Sequence, residues 1–149
     1  MQNLNTTHQA EIRDDDVICV QVGKAKTCFI DVRDVGAVAA KVLTAPGHQG
    51  QAYALTGGEA LDYFEVGVLF TEVLGHTITY TDPSIFAFVR RARARGIPWR
   101  FVMVMVGLYT ATRLGSANRV TDTVTHLLGR PPIPMRQYIE DYAETWRKQ

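Results

Sequence analysis

The stretch "FIDVRDVGAVAAKVL", residues 29–43, decides the fold. Two apolar residues run into an aspartate and a helical pattern begins at once, as where a strand hands over to a helix in a nucleotide-binding α/β fold. Asp31 stands at the N-cap position with Asp34 three residues on, a capping-box arrangement. Val35, Val38, Ala39, Val42 and Leu43 then fall at helical spacing and form one apolar stripe, which Pro46 and Gly47 end. Such a fold should also carry a glycine-rich phosphate loop, yet none lies upstream.

Working outward, residues 4–12 can be helical, and the like charges of Asp14, Asp15 and Asp16 break that pattern. Residues 17–22, "VICVQV", read as a strand, residues 23–26 as a turn, and "TCFI" at 27–30 as a second strand, which makes a hairpin. Downstream the strand-then-helix grammar repeats. Residues 51–58, "QAYALTGG", form a short strand closed by two glycines. Asp62 and Glu65 make another capping box, and Val66, Leu69, Phe70, Val73 and Leu74 give a second stripe that Gly75 stops. "TITYT" alternates like a strand with one wet face. Beyond it the chain turns helical. Asp82-Pro83 opens one helix, Pro98 a second that runs to Gly115, and residues 121–128 a third. "RPPIP" leads to a last helix on which Met135, Tyr138, Ile139, Tyr142 and Trp146 share a face. The order predicts a mixed α/β fold with two regions: residues 1–81, the α/β part with its short hairpin, and residues 82–149, a helical part.

The 149-residue length suits one domain, and 46% hydrophobic with 21% charged residues describes an ordinary globular chain. A net charge of +1 supplies no global field toward nucleic acid. Cys19 and Cys28 fit neither a disulfide framework nor a zinc site; buried thiols facing each other across the hairpin are expected, in a reduced, cytoplasmic setting. Histidines 8, 48, 76 and 126 lack ligand spacing, so no metal site is indicated. The opening residues do not read as a signal peptide, and no run reaches the roughly 18 apolar residues of a membrane span.

Four segments, "MQN" at residues 1–3, the opening stretch, residues 53–80 and "GRPP" at 129–132, resemble in their order the C-terminal half of the NmrA-like family. These atypical short-chain dehydrogenases include NAD(P)H-dependent quinone and azo reductases and redox-sensing regulators. The resemblance implies the C-terminal portion of a Rossmann-like parallel-sheet fold with a helical substrate-binding subdomain. It also implies NADP or NAD as cofactor in a full-length parent, a quinone-like or other flat apolar acceptor, and a preceding half that carries the phosphate loop. No G-x-x-G-x-x-G occurs here; the nearest candidate, "TGGEA", has Gly57 and Gly58 where a turn with positive φ is expected. The chain is thus expected to be a back half that binds dinucleotide weakly and is inactive alone. A non-catalytic NAD(P)-sensing or protein-interaction domain is the alternative. An orphaned half-domain is a third reading, with a homodimer formed through its open sheet edge or through the Phe101–Thr112 helix.

Candidate site residues follow. The resemblance implies that Asn3 lies near the nicotinamide or the substrate, although asparagine would also cap a helix beginning at Leu4. Tyr109-x-x-x-Arg113 approximates the Tyr-x-x-x-Lys pair of the wider superfamily, a spacing any helix with one tyrosine can produce. The twelve uncharged residues 101–112, "FVMVMVGLYTAT", must be buried, meet a partner, or wall an apolar pocket. Met103, Met105 and Tyr109, with Phe86 on the preceding helix, are the substrate-side candidates. Arg90, Arg91, Arg93 and Arg95 read as a solvated helix end rather than a nucleic-acid patch. Asp31 and Asp34 are explained by capping and are given no catalytic role.

Overall fold

The computed structural model describes residues 1–148. Val17–Cys19 (β1) and Thr79–Thr81 (β2) form a two-stranded parallel sheet, with Val17 opposite Thr79, Ile18 opposite Tyr80 and Cys19 opposite Thr81. Between the strands lie helices α2 (Val32–Thr44) and α3 (Tyr63–Leu74), and α1 (Gln9–Asp15) precedes β1. Four helices follow β2: α4 (Ile85–Ala94), α5 (Trp99–Arg113), α6 (Thr123–Leu128) and α7 (Met135–Asp141). The mixed α/β class with a parallel sheet and a helical tail therefore holds.

The main core forms where α3 and the sheet meet α7, burying Ile12, Ile18, Val20, Val66, Phe70, Tyr138, Ile139 and Trp146. The Trp146 indole donates to the Leu4 carbonyl at 3.1 Å and packs edge-on against Phe70, so the end of the chain locks onto its beginning. A smaller cluster of Phe88, Ala92, Val102 and Met105 joins α4 to α5. Tyr109 packs against both clusters and is their common member.

Several expectations are corrected. The first helix does not span 4–12: a 3-10 turn at Gln2–Leu4 precedes α1, which includes Asp14 and Asp15 and ends at Asp16 with φ 57°. The aspartates are carried because each has a cation nearby. Arg91 and Arg95 pair with Asp15, and Lys148 with Asp16. Among the described residues there is no hairpin. β1 stops at Cys19, and Thr27 bridges to Leu61 instead, with paired backbone hydrogen bonds of 2.8 and 3.0 Å. Cys19 and Cys28 therefore do not face each other across a turn; both are free thiols. Residues 51–57 do not form a strand, since no neighbouring strand among the described residues offers them a ladder. α4 is opened by Ser84, whose hydroxyl accepts from the Ala87 N–H, rather than by Asp82-Pro83.

The stripe on α2 is present but mostly uncovered: Val38 is buried, whereas Leu43 is 84% exposed. The same holds for α5. Val102 and Met105 are buried, while Trp99, Phe101, Met103, Val104 and Leu108 face outward, so the apolar run is not buried within the helical part. Among the described residues no helix is long and apolar enough to cross a membrane.

Candidate functional site

The capped turns that open α2 and α3 set the geography of the site. Asp31 accepts from the Arg33 N–H at 2.8 Å and caps α2. Asp34 does not complete a capping box. It is fully buried, accepts from the Ile133 N–H at 2.7 Å and sits 2.8 Å from Arg130, which ties the "RPPIP" link to α2. α3 has the full capping box: Glu65 N–H donates to Asp62, and Asp62 N–H donates to Glu65. Gly57 does not adopt positive φ; its backbone passes so close to Phe29 that a Cβ would stand 2.0 Å from the Phe29 carbonyl oxygen. This contact seats Phe29 beside Tyr63, edge to face at 5.3 Å.

Above that seam lies a cavity of about 310 Å³ whose lining includes Asn3, His8, Phe29, Tyr63, Leu108 and Tyr109. Flat aromatic and aliphatic surfaces make most of the wall, and a few polar groups interrupt it, the pattern of a small-molecule site. Met1 and Phe29 are shared with a second cavity of about 250 Å³ under the proline-rich link, which has Glu59 as its one charged side chain. The first cavity is the one with convergent hydrogen-bonding groups.

Two of the expected residues, Asn3 and Tyr109, are brought together in this cavity although 106 positions separate them. Asn3 makes no side-chain cap; its carbonyl accepts from the His8 N–H at 3.0 Å. Met105 is buried in the α4–α5 cluster, where Tyr109 also packs. Phe86 is 76% exposed and Met103 47% exposed, and neither lines the cavity. Arg113 does not partner Tyr109: it makes two bonds of 3.0 and 3.1 Å to Asp82.

The Tyr109 hydroxyl instead meets His8 Nε2 at 2.6 Å, and His8 Nδ1 meets Glu11 Oε1 at 2.6 Å. A carboxylate can only accept, so Nδ1 carries the proton and Nε2 accepts from the phenol. Burial pushes the Tyr109 phenol well above the ordinary tyrosine range. Sequence reasoning missed His8 and Glu11. Their spacing of three within a helical segment was visible, but nothing local marks which helical pair will meet a tyrosine from the far end of the chain.

The cavity is large enough for a nicotinamide or quinone ring. A dinucleotide's diphosphate does not fit the residues present. The helices that follow the two strand-like segments carry carboxylates at their N-termini, Asp31 on α2 and Asp62 with Glu65 on α3, and these repel phosphate where a phosphate-binding helix presents bare N–H groups.

The chain is 32% identical over 143 residues to an NAD(P)H azoreductase of Xenophilus azovorans, covering 96% of this chain and 50% of the relative. It is 33% identical over 135 residues to a (4-alkanoyl-5-oxo-2,5-dihydrofuran-3-yl)methyl phosphate reductase of Streptomyces griseus, covering 91% and 48%. The fold matches an NADPH-dependent quinone oxidoreductase of Escherichia coli with a TM-score of 0.86 at 20% identity, over 95% of this chain and 51% of that one. No family model matches the chain. The fold is thus that of a Rossmann-like NAD(P)-binding reductase, and the chain spans about half the length of the relatives it matches. These likenesses, each over about half of the relative, support the resemblance to the C-terminal half of NmrA-like NAD(P)-binding proteins.

Proposed function

We propose that the chain is the substrate-side half of an NAD(P)H-dependent reductase whose acceptor is a flat, apolar, quinone-like molecule. The observation that carries this reading is the 310 Å³ cavity, whose largely apolar lining includes both Asn3 and Tyr109. The azoreductase and quinone oxidoreductase among the relatives support it, since azo dyes and quinones are both flat acceptors.

A bound reduced nicotinamide supplies hydride. The work of this chain is to hold the acceptor in reach and exclude water. Phe29, Tyr63 and Leu108 give the ring its apolar contacts, and the Asn3 amide, free of a capping role, orients a carbonyl at the cavity. Residues 82–149 contribute the α5 side of the cavity as the helical substrate-binding part, with Met105 supporting Tyr109 from behind. Phe86 and Met103, exposed on α4 and α5, meet the acceptor only if it extends beyond the cavity. The phosphate grip comes from a glycine-rich segment outside these 149 residues.

Two calorimetric titrations of the chain test this. Menadione should bind saturably, and Leu108→Asp should abolish its binding; no saturable binding would overturn the acceptor reading. NADPH should bind negligibly, and submicromolar affinity would overturn the assignment of the phosphate grip to another segment.

A further inference from the structure

One polar array in the wall of the cavity takes no part in ring stacking. Glu11, His8 and Tyr109 form a continuous carboxylate–imidazole–phenol line with links of 2.6 Å, and both His8 and Tyr109 belong to the lining of the 310 Å³ cavity. The direction of the protons along it is fixed from the buried end. Glu11 Oε1 accepts from the Cys19 N–H at 3.3 Å, and Oε2 lies 3.6 Å from Arg91 Nε, so donors surround the carboxylate. It therefore accepts from His8 Nδ1, which leaves Nε2 of the neutral imidazole with a lone pair and no proton. The phenol proton of Tyr109 is committed to Nε2. Among the described residues no group donates to the Tyr109 oxygen in return, so its remaining lone pair is unclaimed.

We infer that Tyr109 is a specificity-determining residue that selects substrates bearing a hydrogen-bond donor on the ring, an amino or un-ionised hydroxyl group beside the carbonyl. The inference rests on the reading of the cavity as the acceptor site, and it narrows the substrate class. A phenol normally offers both a proton and lone pairs, but one whose proton is held by His8 offers only lone pairs. An N–H or O–H on the substrate finds its partner there. A substituent that only accepts, or an ionised oxygen, meets lone pair against lone pair and is disfavoured.

The rest of the lining leaves this role to Tyr109. Thr112 donates its hydroxyl proton to the Leu108 carbonyl at 3.0 Å, and the Thr27 hydroxyl oxygen is covered by protein. Asn3 makes no side-chain cap, so its amide N–H is available to a ring carbonyl. Asn3 and Tyr109 thus offer opposite chemistry in one largely apolar cavity, a donor for the carbonyl and a lone pair for its donor-bearing neighbour. An amino group that enters such a cavity gives up its bonds to water and needs one to replace them. A methyl group of nearly the same size needs none.

Calorimetric titration of the chain at pH 8, above the ordinary histidine range, tests this with three probes that share one ring system. They are 2-amino-1,4-naphthoquinone, menadione with methyl in the same place, and 2-hydroxy-1,4-naphthoquinone, whose oxygen is ionised at this pH. The amino probe should bind about fivefold or more tighter than menadione, and the ionised probe more weakly than menadione. Tyr109→Phe should remove the preference for amino over methyl, a ratio that a general loosening of the fold leaves unchanged. Nitrogen NMR of His8 should show Nδ1 protonated and Nε2 bare, with the amino probe and without it. If Tyr109→Phe does not fold, the ranking of the probes and the nitrogen spectrum decide. Equal binding of the amino and methyl probes, tightest binding of the ionised probe, a preference retained in Tyr109→Phe, or a proton found on Nε2 would each overturn the inference and leave the acceptor site standing. Failure of all three probes to bind would overturn both.

Discussion

At the scale of single residues, Gly57 and Asp34 show how a side chain's meaning depends on what the fold brings beside it. Gly57→Ala should destabilise by about 3 kcal/mol or more, because a methyl 2.0 Å from the Phe29 carbonyl forces that backbone apart. Thermal melting reads this, and an unchanged midpoint would show that the close approach is relaxed at little cost. Asp34→Ala should cost about 2 kcal/mol in urea unfolding, since it strips the acceptor from the Ile133 N–H and leaves Arg130 unpaired. Asp31 adds a pH dependence. Burial alone would raise its carboxyl, but bonds from Arg33 and Gln2 outweigh burial and hold it below the ordinary range. A depressed folded-state pKa contributes stability that is present above the unfolded carboxylate range, near 4, and is lost as pH falls through the folded value. Melting midpoints should therefore drop below about pH 4, and Arg33→Met should flatten that drop.

At the scale of elements, caps and stripes were legible, and strands only in part: β1 and β2 fall within stretches read as strands, while the hairpin and the strand at 51–57 do not form. The start of α3 was readable because a capping box is local: both bonds lie within Asp62 to Glu65. Asp62→Ala should lower stability by about 1 kcal/mol, with amide exchange accelerating first in the opening turn of α3. The hairpin and the strand at 51–57 failed for one reason. A strand needs a partner at hydrogen-bonding distance, and alternation in sequence says nothing about whether one arrives. Thr27 found Leu61, and β1 found β2 across more than sixty positions, whereas residues 51–57 found none. Asp34 escaped a correct reading in the same way, since a capping spacing cannot reveal that the carboxylate will be claimed by a loop a hundred residues on.

At the scale of the whole molecule, the uncovered apolar faces of α2 and α5 are the salient feature. Phe101, Val104 and Leu108, at i, i+3 and i+7 on α5, together expose a surface of the kind that associates in water. Sedimentation velocity should show self-association as concentration rises, and Val104→Lys should weaken it at least about tenfold by placing an unpaired charge in the contact. A monomer at every concentration would contradict this. The sequence by itself determined the mixed α/β class and the helix order, and it singled out Asn3 and Tyr109, which the structure places in one cavity, because periodicity, capping and motif order are recorded in neighbouring residues. Only the tertiary structure decided which strands pair, which stripe is covered, and that His8 and Glu11 stand behind Tyr109. Those facts depend on contacts between distant segments, and the free energy of such contacts belongs to the packed chain rather than to any stretch of it.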